Sequence, residues 1–211
     1  MTLTISAIIL AGGQSTRMGR DKALLELDQR PLIQHVCQVA QAIAHPVFIV
    51  TPWIERYQSA VPETCQFIQE ALPLDETKPH GPLLGFAQGL AHIRTEWVLL
   101  LACDLPRLDA AVLQETVNAL ESVPEEAIAF LPRNPKGWEP LCGFYRSRCL
   151  AELTVYIEQG GRSFQRWLDQ AIVAELTLSD PQILFNCNTP DDLVMLEGYH
   201  ATHDIPSEHH P

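Results

Sequence analysis

The sequence predicts a doubly wound α/β fold, in which a mostly parallel sheet is covered by helices on both faces. Two observations carry this prediction: short, wholly apolar runs end in turn residues, and segments with helical periodicity alternate with them through about residue 121. A strand that is apolar along its whole length is buried on both faces, as in a parallel sheet. Alternation of strand and helix produces parallel pairing, with helices packed on the sheet.

The first half of the chain supplies this alternation. Residues 31–44 carry apolar side chains at helical spacing, and Pro31 suits a first helical position. Trp97–Ala102 is the clearest strand, because its six apolar residues run directly into Cys-Asp-Leu-Pro. Asp109 is a suitable cap for a helix that extends to about Glu121. The other expected elements are strands at 6–10, 47–50 and 65–68, a polar loop at 69–79 and a helix at 81–93.

The second half adds a smaller elaboration of the sheet. Strands at 127–131 and 141–145 flank the turn-rich segment 133–140, a pattern that predicts a β-hairpin. A last helix is expected to begin at Thr189, which is followed by Pro190 and two aspartates. The pattern further indicates helices at 150–159 and 164–170, strands at 172–176 and 183–185, a single domain over 1–199 and a frayed tail over 200–211. The histidines of that tail leave a metal-binding tract as an alternative.

Composition excludes several classes of function. The formal net charge is −12, whereas a protein that holds nucleic acid through its phosphates usually carries a basic face. No apolar stretch approaches the roughly 20 residues that span a bilayer. The six cysteines form no C-x-x-C pair, and the N-terminus lacks the features of a signal peptide. We therefore expect a cytoplasmic protein that acts on neither nucleic acid nor membrane.

The loop after the first strand carries the strongest chemical signal. Gly12 and Gly13 allow a sharp turn in which successive backbone N–H groups face an anion, and Arg17 and Lys22 add positive charge. The spacing does not fit G-x-x-x-x-G-K-[ST], nor does it fit the dinucleotide fingerprint G-x-G-x-x-G. An ordinary strand-to-helix turn would also explain the glycine pair alone, but not the Arg-Met-Gly-x-x-Lys that follows it.

A carboxylate follows the clearest strand. Asp104 lies just beyond Trp97–Ala102, at what we expect to be the carboxyl end of a sheet strand, where ligands bind in such folds. A carboxylate there can hold Mg²⁺, which is bound by one or two carboxylates together with substrate phosphates. A turn-forming aspartate before Leu-Pro is the alternative interpretation.

Four segments resemble a known family. Residues 10–22 resemble the signature L-A-G-G-x-S-x-R-M-G-x-x-K of the molybdopterin nucleotidyltransferases, which complete molybdenum cofactor. Residues 103–106 are similar to the family's C-D-x-P element, 81–85 to G-P-L-x-G, and 186–193 to N-x-N-T-P-x-D-L. The likeness is greatest to the guanylyl-transferring members, the molybdenum cofactor guanylyltransferases, because cytidylyl-transferring relatives tend to have Ala-Ala-Gly where this chain has Ala11-Gly12-Gly13.

The resemblance implies a Rossmann-like, glycosyltransferase-A-like nucleotidyltransferase fold and a reaction. The reaction is transfer of GMP from GTP to the terminal phosphate of molybdenum-bound molybdopterin, with Mg²⁺ as cofactor and release of pyrophosphate. Arg17, Lys22 and Asp104 would be catalytic, and Asp104 would hold the metal. The residues implied in nucleotide binding are Leu10, Ala11, Gly12, Gly13, Lys22, Thr51, Glu70, Gly81 and Asp104.

Two of these nucleotide-binding positions depart from the family pattern. Glu70 stands where the family usually has an aspartate, and its carboxylate can accept from N1–H and N2–H of guanine. Thr51 stands where an asparagine is often found, so it keeps one hydroxyl and loses an amide. Either residue could instead be an ordinary loop residue.

The second half of the chain, about 125–199, would bind the acceptor. The resemblance implies that Arg162, in a Gly-Gly-Arg-Ser turn, meets the acceptor's terminal phosphate; a surface arginine between two helices is the alternative. Asn186 and Asn188, at alternate strand positions, would order Mg²⁺-bound water or the acceptor's phosphate. Molybdenum insertion proteins and molybdoenzyme chaperones are further partners that the resemblance implies. The alternatives are a related transferase that uses CTP or a sugar phosphate, and a non-catalytic nucleotide sensor.

Overall fold

The protein is built around a seven-stranded sheet. A computed structural model describes residues 3–13, 21–27, 29–71, 81–187 and 192, and the structural statements below refer to these residues. The strands, in chain order, are β1 (Ile5–Leu10), β2 (Glu26–Leu27), β3 (Arg30–Pro31), β4 (Val47–Thr51), β5 (Gln66–Gln69), β6 (Trp97–Ala102), β7 (Ala129–Leu131), β8 (Arg133–Asn134), β9 (Gly137–Trp138), β10 (Cys142–Arg146) and β11 (Val173–Glu175). Two short ribbons, β2–β3 and β8–β9, lie apart from the seven-stranded sheet. The order across the large sheet is β11-β7-β10-β6-β1-β4-β5, and only β10 runs antiparallel to its neighbours.

Helices cover both faces of this sheet. They are α1 (Leu32–Ile43), α2 (Ile54–Tyr57), α3 (Pro82–Leu90), α4 (Ala110–Ala119), α5 (Leu150–Glu158) and α6 (Phe164–Leu168), with 3-10 turns at Lys22–Leu24, Leu120–Ser122, Ser147–Cys149 and Pro181–Leu184. α1 packs with α4 on one face, and α3 packs with α5 on the other. Alternate residues of β6 enter the two cores, Leu99 on the α1 side and Leu100 on the α3 side. The doubly wound, mostly parallel fold predicted from sequence is confirmed.

The direction of winding changes beside β1. From β1 the chain adds β4 and then β5 on one side, and after α3 it adds β6 on the other side. Leu10, the last residue of β1, is paired with Val50 in β4 and with Ala102 in β6, so these parallel strands end at one edge. Ligands of open α/β sheets bind at such a switch in strand order. The segments that leave these strands are therefore the place to look for a site.

The predicted hairpin is present, but one predicted strand is wrong. β7 and β10 pair antiparallel, and the short β8–β9 ribbon lies in the connection between them. The segment 183–185, predicted as a strand, instead forms the end of the 3-10 turn Pro181–Leu184 and its C-cap Phe185. Asp180 caps the start of this turn by accepting from the Gln182 N–H at 2.9 Å. The short apolar run is typical of a strand, but the Asp180 cap stabilises a helical turn at this place instead. The first position of α1 is likewise Leu32 rather than Pro31, which precedes the helix and pairs with Glu26.

Some expectations concern residues that the structure does not describe. The cap at Thr189 and the tail over 200–211 lie outside the described residues. Within the described ranges, every helix is too short or too polar to traverse a bilayer.

Candidate functional site

A pocket of about 420 Å³ opens where β1, β5 and β6 end. It lies at the switch in strand order, and the N-terminal end of α3 forms another part of its wall. The lining includes six residues that the sequence identified as nucleotide-binding candidates: Leu10, Gly12, Gly13, Glu70, Gly81 and Asp104. Residues from five separate segments of the chain therefore meet at one cavity, which is large enough to receive part of a nucleotide.

A smaller pocket of about 110 Å³ adjoins the first and shares Gly13 and Asp104 with it. Its lining adds Ala11 and Lys22, which are two more of the predicted residues. The glycine turn and the carboxylate at the tip of β6 thus face the same cavities, as a shared triphosphate would require. Had Gly13 and Asp104 been on opposite sides of the molecule, no single ligand could have reached both.

Lys22 and Asp104 form the charged centre of the site. Lys22 Nζ lies 4.0 Å from Asp104 Oδ2, and both side chains are largely buried. Burial raises the pKa of Asp104, whereas the Lys22 ammonium and a backbone hydrogen bond lower it. A carboxylate in such low-dielectric surroundings gains much from a nearby cation. The arrangement therefore suits a carboxylate that holds a metal ion or faces a cationic side chain.

Glu70 is a second buried acid in the pocket wall. Its side chain follows β5 and is only 6% exposed, and burial raises its pKa. A Cβ added at Gly12 would lie 2.8 Å from Glu70 Oε2, and one added at Gly85 would lie 3.5 Å from it. The glycine at position 12 therefore does more than allow a turn, because it leaves the space that the Glu70 carboxylate occupies.

Thr51 lies beneath the pocket rather than on its lining. Its side chain is fully buried, its hydroxyl donates to the Ala11 carbonyl at 2.8 Å, and it accepts from the Trp53 N–H at 3.1 Å. Both capacities of the hydroxyl are used within the fold. Thr51 is therefore placed to hold the loop after β1, and its direct contact with the nucleotide stays a prediction.

Gly81 requires a glycine for a different reason. Its φ of 93° lies in the left-handed region, which side-chain-bearing residues rarely adopt. Pro82 follows as the first residue of α3, where its missing N–H costs nothing. The turn at Gly81 places the N-terminal end of the nine-residue helix α3 at the pocket. The helix dipole makes this end favourable for anions.

The candidate acceptor residues are less closely assembled. Arg162 is exposed, and its Nη1 donates to the carbonyls of Ile157 and Gly161 at 2.9 and 2.7 Å, so it caps the end of α5. Asn186 is half-buried, and the next residue, Cys187, donates its N–H to the Asp104 carbonyl at 3.1 Å. Asn186 is therefore tethered to the site, whereas Arg162 does not line either pocket in the described part of the chain. Arg17 and Asn188 lie outside the described residues.

Sequence reasoning missed Asp21 and Tyr57, which line the smaller pocket. Asp21 had a usable signal, since an aspartate directly before a short helical turn is a frequent cap. Tyr57 had none, because only the fold brings its segment to this edge of the sheet.

Comparison with known proteins agrees with this geometry. The sequence model of the MobA-like NTP transferase domain matches residues 7–173. A relative from Trichormus variabilis, named probable molybdenum cofactor guanylyltransferase, is 59% identical over 194 residues, which cover 92% of this chain and 91% of the relative. A protein of the same name from Synechococcus elongatus is 45% identical over 195 residues, covering 92% of this chain and 99% of that protein.

Solved structures show the same fold. Molybdopterin-guanine dinucleotide biosynthesis protein A from Archaeoglobus fulgidus superimposes with a TM-score of 0.75 at 24% identity, over 93% of this chain and 99% of that one. A nucleotidyl transferase from Methanothermobacter thermautotrophicus gives a TM-score of 0.71 at 19% identity, over 95% and 99%. With the family model and the relatives above, these findings show that the chain is a nucleotidyltransferase and belongs to the MobA-like NTP transferase family.

Proposed function

We propose that this protein transfers GMP from GTP to the terminal phosphate of molybdenum-bound molybdopterin and releases pyrophosphate. The observation that carries the proposal is the meeting of the Gly12–Gly13 turn, Lys22 and Asp104 around adjoining pockets at the switch in strand order. The names of the relatives at 59% and 45% identity support the choice of guanine and of the pterin acceptor.

The pocket offers complementary groups for both ends of GTP. The backbone of the glycine turn and the Lys22 ammonium suit the triphosphate, with Arg17 proposed as a further cation. The Glu70 carboxylate suits the guanine edge, because N1–H and N2–H can both donate to it. Cytosine and adenine lack that pair of adjacent donors. Base choice would then rest on Glu70 and on the space that Gly12 leaves for it.

The residues around Asp104 fit a magnesium ion. The described residues contain no group of three or more histidine, cysteine or acidic side chains that could form an all-protein metal cage. Mg²⁺ does not need one, since it keeps several waters and is bound through one or two carboxylates and substrate phosphates. Asp104 would hold the ion, which when bound would neutralise charge on the phosphates and polarise the α-phosphoryl group.

The protein's own residues would act by positioning and by balancing charge. An oxygen of the acceptor's terminal phosphate attacks the α-phosphorus in line, forming one P–O bond while the bond to the β-phosphate oxygen breaks. The attacking oxygen is already anionic, so no side chain has to remove a proton or form a covalent intermediate. Lys22 stabilises charge on the departing pyrophosphate, and the fixed glycine turn keeps the donor aligned.

The second half of the chain would present the acceptor. Asn186, tethered next to Asp104, is the proposed contact for the acceptor phosphate, with Asn188 and Arg162 as further candidates. We place the reaction in the cytoplasm, because the cysteines are used as free thiols that are mostly buried in the core, as suits a reducing compartment. Molybdenum insertion proteins and molybdoenzyme chaperones are the proposed protein partners.

Replacement of Asp104 tests the proposal. Asp104→Asn keeps the size of the side chain and removes its charge, so turnover of GTP with molybdenum-loaded molybdopterin should fall by roughly a hundredfold or more. GTP affinity measured calorimetrically in EDTA should change far less, because that measurement excludes the metal contribution. The same substitution at exposed Asp109, which caps α4, is the matched control, since asparagine is also a good cap.

Two outcomes would contradict the proposal. Unchanged turnover in Asp104→Asn would remove the metal-binding assignment. A higher kcat/KM for CTP than for GTP in the unaltered protein would remove the guanine assignment.

A further inference from the structure

Asp21 uses both oxygens of its carboxylate to anchor the turn that carries Lys22. Oδ1 accepts from the Ala23 N–H at 3.2 Å and so caps the 3-10 turn Lys22–Leu24. Oδ2 accepts from the Tyr57 hydroxyl at 2.7 Å, a contact to α2 across 36 positions of sequence. One side chain therefore fixes the turn that carries Lys22 and ties this turn to a separate helix.

Tyr57 is built to serve as a neutral donor. It is 1% exposed, and burial, with the hydrogen bond to Asp21 as the next cause, raises its pKa far above the ordinary range. A buried hydroxyl needs a partner, and a carboxylate is the stronger kind of acceptor. Arg56 Nη1 lies 3.7 Å from the same Asp21 oxygen, but its side chain is half exposed, so this ion pair contributes little.

The anchored turn points at the charged centre of the site. Asp21, Lys22, Tyr57 and Asp104 all line the pocket of about 110 Å³, and Lys22 Nζ is 4.0 Å from Asp104 Oδ2. A lysine side chain has a flexible four-carbon stem, and its ordering costs entropy. When the backbone of Lys22 is fixed by Asp21, part of that entropy has been lost before the ligand arrives.

We infer that Asp21 and Tyr57 are positioning residues that act through Lys22 and set its ammonium at the triphosphate. This inference rests on the proposed function, in which Lys22 balances the charge of the phosphates. In this inference, Asp21 and Tyr57 affect the reaction only through the place that they give to Lys22.

A double-mutant cycle tests the coupling to Lys22. Tyr57→Phe removes only the hydroxyl and keeps the ring in the core, so the fold should survive. In the unaltered background it should lower kcat/KM for GTP about tenfold, the size of one lost hydrogen bond to a charged group. In the Lys22→Ala background the same change should have an effect of about twofold or less, because the group that it positions is gone. Asp21→Asn, which leaves one acceptor where two are needed, should behave in the same way.

Tyr145→Phe is the matched control. Tyr145 is also fully buried, and its hydroxyl donates to the Pro140 carbonyl at 2.8 Å on the other side of the sheet. The Tyr145→Phe variant should lose about as much thermal stability as Tyr57→Phe, and its kcat/KM for GTP should be unchanged. If Lys22→Ala turns over too slowly to measure, the same cycle is read from GTP dissociation constants.

The outcomes distinguish the positioning role of Asp21 and Tyr57 from the proposed function. Equal losses from Tyr57→Phe in the presence and absence of Lys22 would overturn the positioning role while the proposed function stands. The absence of GTP-dependent turnover in the unaltered protein would instead overturn the proposed function. Full activity in both Tyr57→Phe and Asp21→Asn would also overturn the positioning role.

Discussion

At the scale of single residues, the site keeps acidic side chains in surroundings that oppose their charge. Glu70 and Asp104 are both held where burial raises their pKa, and Lys22 opposes that rise only for Asp104. Ionised carboxylates in low dielectric cost free energy unless they are paired. We interpret this cost as one that a bound nucleotide offsets, because its donors and associated cation supply the missing partners.

Glu70→Gln should stabilise the unliganded protein above acidic pH. The pKa of Glu70 is higher in the folded than in the unfolded state, so between those two values the folded state binds more protons and stability falls as the pH rises. Above this window the glutamine variant should exceed the wild type by about 1 kcal/mol in the free energy of unfolding, typical of relieved strain at a functional site. Urea denaturation at pH 8 and near pH 4 measures the difference, which should vanish below the unfolded pKa of about 4.3.

The control for Glu70→Gln is the same substitution at exposed Glu63. That change should alter unfolding little at either pH, since surface substitutions away from special features are usually close to neutral. A Glu70→Gln protein that is less stable than wild type at pH 8 would show that the carboxylate is not an unfavourable charge in the fold.

The chemistry of individual residues could be predicted further than their contacts. Gly12, Lys22 and Asp104 carry recognisable roles, because a glycine turn, a cation and a strand-end carboxylate are each local in sequence. The space that Gly12 leaves for Glu70 could not be predicted, since it depends on the distance between two loops. The bond between Asp21 and Tyr57 is of the same kind, because only the fold brings α2 beside the first loop.

At the scale of elements, α3 lies unusually close to the sheet. A Cβ at Gly89 would be 3.0 Å from both Ile8 Cδ1 and Val50 Cγ2, and Gly85, one turn earlier, adjoins the Glu70 carboxylate. Positions i and i+4 share a helix face, so the two glycines lie on the buried face of α3. Glycine allows this close approach because it has no side chain, but it also has a low helix propensity, which lowers the stability of α3.

Gly89→Ala should therefore destabilise the protein although alanine is the better helix former. Overpacking costs about 1–3 kcal/mol, which exceeds or cancels the gain in propensity of about 1 kcal/mol. Chemical denaturation measures the net effect. Ile8→Val removes the clashing Cδ1 atom, so the double variant should lose less stability than the two single losses combined. Strict additivity, or a more stable Gly89→Ala protein, would contradict the close packing.

The predictability of each element follows from what stabilises it. Trp97–Ala102 is a strand with the bounds that the sequence predicted, because an all-apolar run between turn residues has few other places to lie. The segment 183–185 was predicted as a strand, yet the chain forms a 3-10 turn there under the control of Asp180. The helix α2 was not predicted, since four residues are too few to show a period.

At the scale of the whole molecule, an acidic protein places a lysine beside a carboxylate at its candidate site. The formal net charge is −12, and Lys22 stands with Asp104 at the pocket edge. A net negative charge repels a triphosphate, so in the proposed function local cations and a divalent ion overcome that repulsion. Nucleotide binding should accordingly depend strongly on the metal.

Selective stabilisation by ligand tests this dependence. At a GTP concentration one hundred times its dissociation constant, with Mg²⁺ present, stability should rise by about 2.7 kcal/mol. For a chain of this length that corresponds to a rise of roughly 5–10 °C in Tm by thermal-shift fluorimetry. CTP, UTP and ATP at the same concentration should give smaller shifts, and EDTA should remove most of the GTP shift. Equal shifts for all four nucleotides, with or without metal, would instead favour a sensor of triphosphates.

The position of β1 between β4 and β6 has a consequence for how the protein is made. A nascent chain that has not yet grown past β6 can pair β1 with β4, but the other edge of β1 has no neighbour. Such an unpaired edge, on a strand rich in isoleucine, can pair with strands of other nascent chains and so promotes aggregation. The same unfinished chain has the Gly12–Gly13 turn but not Asp104, the residue proposed to hold the metal ion. Truncated translation products would therefore have an unpaired strand edge and would lack that carboxylate.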